Sequence, residues 1–288
     1  MPFEPFSLNC NGYFLRAERP LVMGILNATP DSFFAGSRVQ ADQVGAAAGA
    51  MVEAGAKILD VGGMSTRPGA ELITSEEEQS RILPVIEAVR AVAPKVVISC
   101  DTVYAATARA AVAAGAGMIN DVSAGRFDDE LLAAVAELRV PYVLMHMPAA
   151  TPATMQQHTQ DYGDKVVTHV WDFLAEQLIA IRQLGVLDII VDPGFGFGKN
   201  QAQNYTLLKN LHAFRHLGVP VLAGISRKGM VYKPLKTTPA ESLPATAALH
   251  LYALQQGASI LRVHDVKEGV EVVKLWSLLE EARLVGEG

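Results

Sequence analysis

The chain has 288 residues, of which 50% are hydrophobic and 19% are charged. Its formal net charge of −6 argues against general binding to nucleic acid or to an anionic membrane, since both require a basic surface. No apolar run reaches the ~18 residues of a membrane span, and the N-terminus lacks the pattern of a signal peptide. Two cysteines are too few for a disulfide framework, so we expect a reduced, cytoplasmic protein.

The first elements in chain order form a predicted hairpin over residues 6–20. Two short alternating runs flank Asn11 and Gly12, and both residue types tolerate the positive φ of a tight hairpin turn. The hairpin precedes the first of a series of longer apolar runs. We therefore expect it to close the amino-terminal end of the sheet that those runs form.

Eight short apolar runs follow, separated by stretches that are each long enough for a helix. The runs lack polar alternation, which is typical of parallel strands buried on both faces. A strand–helix alternation repeated eight times predicts an α/β fold, a single (β/α)8 TIM-barrel domain over residues 1–288 with its chemistry at the carboxyl ends of the strands. The runs are Leu21–Leu26, Ile58–Val61, Val96–Ser99, Gly117–Ile119, Tyr142–Met145, Ile189–Val191, Val221–Ala223 and Ile260–Val263.

The stretches after the runs predict helices. The second helix begins with a capping-box pattern, Ser75 and Glu78, and contains Pro84, which predicts a kink. The loops after the first, second, fifth and seventh runs are long, as lid loops often are. The predicted helices are Ala41–Ala54, Ser75–Val92, Tyr104–Ala114, Asp129–Leu138, Val166–Leu184, Tyr205–Leu217, Leu243–Gln256 and Val266–Arg283.

Polar residues follow several of the runs. Asp101, Asn120 and Asp192 lie at run ends, and Lys228 lies just beyond the seventh. Paired acids there can bind a metal, perform acid–base chemistry or accept hydrogen bonds from a heterocycle. The added asparagine and lysine favour a flat ring with N–H groups on one edge and a carbonyl on the other. The alternative for each residue alone is a cap on the following helix.

A second group of residues suits an anion. Arg262 and His264 are two residues apart on one predicted strand, so their side chains point the same way. Two such side chains at a barrel mouth favour a bound anion such as phosphate. The alternative, an ion pair between Arg262 and an acid such as Asp265, is disfavoured because alternation turns Asp265 to the other face. The remaining members of this group are Thr66, Arg67, Ser226 and Arg227.

Three further features are interpreted without a catalytic role. His146 follows the fifth run and is interpreted as an orienting or capping residue. The segment Gly194–Lys199 is one residue short of a phosphate-binding Walker A loop, and Asn200 stands where serine or threonine belongs. The segment Gly224–Gly229 has one residue too many for a nucleophile elbow.

Eight segments along nearly the whole chain carry a further signal. They are MGILNATPDSF (23–33), GGMSTRPG (62–69), SCDT (99–102), INDV (119–122), VLMHM (143–147), DPGFGFGK (192–199), GISRK (224–228) and RVHDV (262–266). In this order they resemble the dihydropteroate synthase family. The resemblance implies that the amine of p-aminobenzoate displaces pyrophosphate from 6-hydroxymethyl-7,8-dihydropterin pyrophosphate. The products would be 7,8-dihydropteroate and pyrophosphate, with Mg²⁺ required. It also implies a homodimer that takes these small molecules as substrates.

The resemblance also implies roles for individual residues. The residues that would hold the pterin are Asp101, Asn120, Met145, Asp192 and Lys228. Those that would hold the pyrophosphate are Asn27, Arg262 and His264, with Asn27 also contacting Mg²⁺. Those that would frame the p-aminobenzoate pocket are Phe33, Thr66, Arg67, Pro68, Phe197, Ser226 and Lys228. The implied catalytic residues are Asn27, Asp31, Arg262 and His264.

Three places depart from the family pattern. Ala35 stands where the family has an acid, and Asp31 is the acid that remains in that loop. Met64 replaces a glutamate of the second loop. The opening of the seventh barrel helix, residues 241–246, differs in a region that helps to form the family's dimer.

Other functions stay open at this point. The alanine at position 35 suits a non-catalytic pterin-binding relative. A methyltransferase that uses a reduced folate would share the barrel but would not need the anion pair of Arg262 and His264. A Schiff-base aldolase would use Lys228 as its nucleophile.

Overall fold

Eight parallel strands form a nearly closed barrel in the computed structural model of the chain, behind a two-stranded hairpin. The structure describes residues 3–28, 38–64, 73–149, 160 and 162–282, with the backbone alone for 38–42. The hairpin strands are β1 (Phe6–Cys10) and β2 (Tyr13–Ala17). The barrel strands are β3 (Leu21–Asn27), β4 (Ile58–Gly62), β5 (Val97–Asp101), β6 (Met118–Asp121), β7 (Tyr142–Met145), β8 (Ile189–Asp192), β9 (Leu222–Ala223) and β10 (Ile260–Val263).

The barrel strands pair in the order β8, β7, β6, β5, β4, β3, β10, β9. A parallel bridge between Val191 and Val221 joins the two ends of this order. Each strand runs parallel to its neighbours, because a helix on the outside returns the chain to the starting edge. The structure thus confirms the predicted (β/α)8 barrel.

Helices surround the sheet. The α-helices are α1 (Arg38–Glu53), α2 (Ser75–Val92), α3 (Ala105–Ala113), α4 (Leu131–Leu138), α5 (Val166–Gln183), α6 (Gln201–Lys209), α7 (Gly229–Tyr232), α8 (Leu243–Gln255) and α9 (Val266–Glu281). Two 3-10 helices, Leu211–Leu217 and Ala240–Ser242, supplement them. Within the described ranges, every helix is too short or too polar to cross a membrane.

The prediction for the start of α2 is wrong in its capping residue. Thr74, not Ser75, caps the helix, since its Oγ1 accepts the backbone N–H of Glu77 at 3.3 Å. Glu78 cannot complete a capping box because it is buried and accepts a hydrogen bond from the Thr102 hydroxyl at 2.5 Å. The Glu78 carboxylate therefore binds Thr102, which is distant in sequence, instead of the start of its own helix.

The prediction of one helix over Tyr205–Leu217 is also wrong. A capping box of Asn200 and Gln203 starts α6 at Gln201, four residues earlier than predicted. The α-helix ends at Lys209, and the chain continues as the 3-10 helix from Leu211. Apolar residues recur on both sides of the transition from α-helix to 3-10 helix, so their spacing did not indicate where the α-helix ends.

The hairpin closes the base of the barrel, as predicted. Asn11 and Gly12 form the turn with φ values of 53° and 83°. The inward residues of the hairpin pack against the first inward layer of the barrel, and Asn9 N donates to Asp188 Oδ2 at 2.7 Å in the loop before β8. The members of this cluster are Leu8, Cys10, Leu15, Ala17, Leu21, Met23, Ile58, Val97, Met118, Val143, Ile190, Leu222 and Ile260. The base of the barrel is therefore filled by side chains of the described residues.

Candidate active site

Strand register brings the predicted polar residues to one end of the barrel. Asn27 of β3, Gly62 of β4, Asp101 of β5 and Asn120 of β6 are successive cross-strand partners. Asn120 pairs in turn with Val143 of β7, whereas Asp192 ends β8 opposite Met145, two residues nearer the carboxyl ends of the strands. Backbone pairing thus brings together side chains that lie far apart in the sequence, as expected of this fold.

An ion-pair network fills the centre of the mouth. Arg262 Nε donates to Asp60 Oδ2 at 2.6 Å, and Nη2 donates to Asp101 Oδ2 at 2.8 Å. Asn120 Nδ2 donates to the same Asp60 oxygen at 3.0 Å. The other oxygen of Asp60 is buried and accepts no hydrogen bond from the described residues. Arg262 thereby connects the predicted ring-binding residues with the predicted anion-binding ones.

Asp60 is a site residue that sequence reasoning missed. It lies inside β4, in the segment Ile58–Gly62, and not at a strand end. Its side chain is fully buried. The available signal was a lone acid within an apolar strand, since a buried carboxylate requires partners.

The structure settles the two readings of Arg262. Asp265 does not pair with it, because Asp265 binds Arg227 through contacts of 2.8 and 2.5 Å. The disfavoured alternative is correct in kind, because Arg262 does pair with acids, but the partners are Asp60 and Asp101. These acids come from β4 and β5, which lie beyond β3 from β10 in the sheet. The binding of an anion beside them stays a prediction.

These contacts shift the protonation of both partners. Burial and the neighbouring charge of Asp60 raise the pKa of Asp101 to about 7, although the Arg262 guanidinium opposes the shift. Burial opposes the charge on Arg262, but Asp60 and Asp101 outweigh it and raise its pKa above the ordinary value. Asp101 therefore changes charge near neutral pH while Arg262 stays cationic.

Asp192 and Lys228 form a second part of the mouth. Asp192 Oδ1 accepts the N–H of Gly194 at 2.7 Å. A Cβ at Gly224 would lie 3.6 Å from Asp192 Oδ2 and 3.8 Å from Lys228 Nζ, so the two polar atoms converge on this glycine. Burial raises the pKa of Asp192, and the charges of Lys228 and Lys199 oppose the shift. Burial lowers the pKa of Lys228 to about 8.

Lys228 also contacts the loop after β8. Its Nζ donates to the Phe195 carbonyl at 2.6 Å and lies 4.7 Å from the centroid of the Phe197 ring. Phe197 packs on a small apolar cluster at the mouth, which includes Met145 and Met64. The cluster provides a flat apolar wall beside the polar atoms of Asp192 and Lys228.

Ser226 and His264 pair at the other side of the mouth. Ser226 Oγ lies 3.0 Å from His264 Nδ1 and accepts the backbone N–H of His264 at 3.1 Å. The two contacts fix the imidazole at the end of β10, where Arg262 also projects. Among the predicted anion-binding residues, these two and the half-buried Asn27 therefore share the rim of the barrel.

His146 does not act as a cap. Its ring is buried and packs edge-on against Phe173 with centroids 4.9 Å apart. Within the described part of the chain, no residue forms a hydrogen bond with its buried Nδ1. Burial lowers the pKa of His146 to about 2, so the ring is neutral. Its position is determined by packing, and its backbone carbonyl is the part that faces the loop after β8.

Some predicted residues lie outside the part of the chain that the structure describes. These are Asp31, Phe33, Ala35, Thr66, Arg67 and Pro68. Among the described residues, no three His, Cys, Asp or Glu side chains are placed to hold a metal ion together. The described mouth can bind a flat ring with N–H donors through Asp101, Asn120 and Asp192, and an anion beside Arg262.

Comparison with known proteins identifies the class. The family model described as pterin binding enzyme matches residues 23–264. The match covers the barrel from its first strand to the residue after its last. The chain belongs to this family of pterin-binding enzymes.

Its relatives within the family are dihydropteroate synthases. The enzyme of Synechocystis is 43% identical over 262 residues, which cover 90% of this chain and 89% of the relative. That of Escherichia coli K12 is 43% identical over 272 residues, with 93% and 94% covered. The Xanthomonas albilineans structure with 4-aminobenzoic acid has a TM-score of 0.88 at 43% identity, with 97% and 100% covered. The same enzyme in complex with 7,8-dihydropteroate has a TM-score of 0.84.

Burial is the larger cause of the raised pKa of Asp101 and the charge of Asp60 adds to it, and a substitution can test the second contribution. In Asp60→Asn we expect the pKa of Asp101 to fall below about 7, while burial keeps it above the ordinary aspartate value. The fall follows because a like charge disfavours the carboxylate and Arg262 is left to Asp101 alone. Carbon-13 NMR titration of the side-chain carboxyl measures it. The exposed Glu137→Gln is the control, and an unchanged midpoint in Asp60→Asn would contradict the electrostatic link.

Proposed function

We propose that this chain catalyses the dihydropteroate synthase reaction. The amine of p-aminobenzoate would displace pyrophosphate from 6-hydroxymethyl-7,8-dihydropterin pyrophosphate and form 7,8-dihydropteroate. The observation that carries the proposal is the shared barrel mouth. Its ring side, with Asp101, Asn120, Asp192 and Lys228, meets its anion side, with Asn27, Arg262 and His264, at the guanidinium of Arg262. A pterin ester of pyrophosphate needs both sides at once.

The ring side matches the edges of a pterin. Its 2-amino and ring N–H groups are donors, which suit the carboxylates of Asp101 and Asp192, and its carbonyl suits the Lys228 ammonium. Hydrogen bonds to charged groups are worth about 1.5–3 kcal/mol each. Met145 is buried in the apolar cluster beside them and offers its side chain to a ring face.

The anion side matches the pyrophosphate. Among the described residues, the hydrogen bonds of Arg262 use Nε and Nη2, so Nη1 is the donor that remains for an incoming oxygen. The Arg262 side chain is 22% exposed and thus reaches the opening of the barrel. His264, oriented by Ser226, and Asn27 on β3 complete this rim.

We propose that both the protein and the substrate would coordinate Mg²⁺ at this rim. The Asn27 amide oxygen is the kind of hard ligand that Mg²⁺ prefers, and pyrophosphate oxygens and waters complete such sites in many phosphate-transfer enzymes. When bound, the ion would neutralise charge on the leaving pyrophosphate. Asn27 would hold it, with Asp31 as a second candidate from the first loop.

The p-aminobenzoate would lie between Lys228, Phe197 and Ser226. Lys228 supplies positive charge for the carboxylate, and the half-buried Phe197 ring supplies a flat contact. Phe33, Thr66, Arg67 and Pro68 are the further residues proposed for this pocket. In the reaction, the amine nitrogen bonds the exocyclic pterin carbon, the carbon–oxygen bond to pyrophosphate breaks, and the nitrogen loses a proton. The electron-rich dihydropterin stabilises positive charge at that carbon, so positioning matters more than a strong base.

Turnover by the purified chain tests the proposal. With both substrates and Mg²⁺, we expect one pyrophosphate released for each dihydropteroate formed, and we expect a chelator to stop both. Asp192→Asn should weaken pterin pyrophosphate binding at least ~10-fold in calorimetry, because it replaces a charged acceptor for pterin N–H groups. Asp172→Asn, an exposed acid on α5, is the matched control.

The same assay distinguishes the non-catalytic alternative. Tight binding of the pterin ester without pyrophosphate release would mean that the chain is a binding protein and would overturn the proposal. Activity that appears only in Ala35→Asp would assign the defect to the first loop. Asp192→Asn with unchanged affinity would remove that residue from the pterin site.

We further propose that the chain forms a homodimer through α8 and α9. These helices pack side by side and expose large apolar side chains, which would be covered by a symmetric partner. The exposed side chains are Tyr252, Leu275, Leu278 and Leu279, at 36%, 57%, 62% and 57%. Substrate sites at the barrel mouth would stay open in such a dimer.

Charge placed on this face tests the dimer. In sedimentation velocity, we expect the wild-type chain to have twice the 30.8 kDa protomer mass. Leu275→Glu combined with Leu279→Glu should give the protomer mass, because two buried carboxylates would oppose association. Leu187→Glu, at an 84% exposed leucine in the loop before β8, is the control. A monomeric wild type, or a double variant that stays dimeric, would contradict the proposal.

A further inference from the structure

Lys199 is a buried lysine that the proposed reaction does not use. It ends the loop after β8, and 7% of its surface is exposed. Its Nζ donates to three backbone carbonyls, those of Gly194 at 2.8 Å, Phe197 at 3.0 Å and His146 at 3.4 Å. No carboxylate of the described residues lies within ion-pair distance of it. Burial lowers the pKa of Lys199 to about 7.

Such a lysine is costly to bury, so its contacts indicate what it does. Burying an ammonium without a paired acid costs hydration free energy, and hydrogen bonds to backbone carbonyls compensate for only part of that cost. A methionine would fill similar space without that cost. The three carbonyls belong to two different loops, the one after β7 and the one after β8. Lys199 therefore holds the two loops against each other.

The junction of these loops is tight at Gly194. This glycine has a φ of 72°, and a Cβ there would lie 1.9 Å from the His146 carbonyl oxygen. Phe197 N donates back to Gly194 O at 3.2 Å, so Lys199 Nζ and Phe197 N share one acceptor. The ammonium thus contacts both ends of the turn that presents the Phe197 ring beneath Lys228.

We propose that Lys199 is a positioning residue that fixes Phe197 and thereby the p-aminobenzoate side of the site. The inference rests on the proposed function and adds a residue that does not touch either substrate. Two of the proposed pterin residues, Asp101 and Asn120, lie on β5 and β6 and have side-chain hydrogen bonds that do not involve Lys199. A third, Asp192, experiences the charge of Lys199, but its side chain is held by its own hydrogen bond from Gly194 N. Loss of Lys199 should therefore affect one substrate more than the other.

Steady-state kinetics of Lys199→Met tests this selectivity. We expect the KM for p-aminobenzoate to rise about 10-fold, with kcat and the KM for the pterin ester within about threefold of wild type. Lys199→Gln, which is too short to reach all three carbonyls, should change the same constant in the same direction. Lys209→Met, at an exposed lysine of α6, is the control and should change neither KM.

A double-mutant cycle identifies the route of the effect. If Lys199 acts through the Phe197 ring, Lys199→Met in a Phe197→Ala background should raise the KM for p-aminobenzoate less than twofold further. Additive effects would overturn the inference, as would an unchanged KM or equal rises in both KM values. If the wild-type chain makes no dihydropteroate, the proposed function fails. A wild-type chain that turns over while Lys199→Met keeps its constants refutes this inference alone.

Discussion

The pairing of Arg262 with Asp60 and Asp101 is the contact on which the site depends. One guanidinium lies between two carboxylates, one fully buried, so the group carries an excess negative charge in a region with little water. Burial and the charge of Asp60 raise the pKa of Asp101, and the two carboxylates keep Arg262 cationic. Breaking a buried pair leaves its partner uncompensated, typically at a cost of 3–5 kcal/mol. The three residues come from β4, β5 and β10, so the network also ties distant parts of the barrel together.

The same network joins the residues proposed to bind a ring and those proposed to bind an anion. Asp101 belongs to the ring side, and Arg262 to the anion side. Each is oriented by the other, and Asp60 orients Asn120 as well. In the proposed function, the ring and the anion of one molecule would contact these two adjoining sides together. The hairpin closes the base of the barrel, so the proposed substrates would enter from the carboxyl ends of the strands.

Much of this arrangement follows from the sequence. The apolar runs predicted the barrel, and parallel pairing then required Asp101, Asn120 and Asp192 to lie at one end. Asp60 and Lys199 were missed because their roles depend on side chains from other strands and loops. Asp60 lies inside an apolar strand and Lys199 ends a glycine-rich loop. The sequence around each of them does not indicate which residues it contacts. The predicted capping box of Ser75 and Glu78 failed for the same reason, since Glu78 accepts a hydrogen bond from Thr102 and Thr74 caps the helix instead.

Calorimetry with the intact pterin ester and its two fragments tests the central claim that both sides of the mouth bind one molecule. The three ligands are 6-hydroxymethyl-7,8-dihydropterin pyrophosphate, the same pterin without pyrophosphate, and pyrophosphate alone, each with Mg²⁺. Because one molecule would engage both sides together, we expect the intact ester to bind at least ~100-fold more tightly than either fragment. An ester that binds no more tightly than its stronger fragment would show that the two sides do not form a single site.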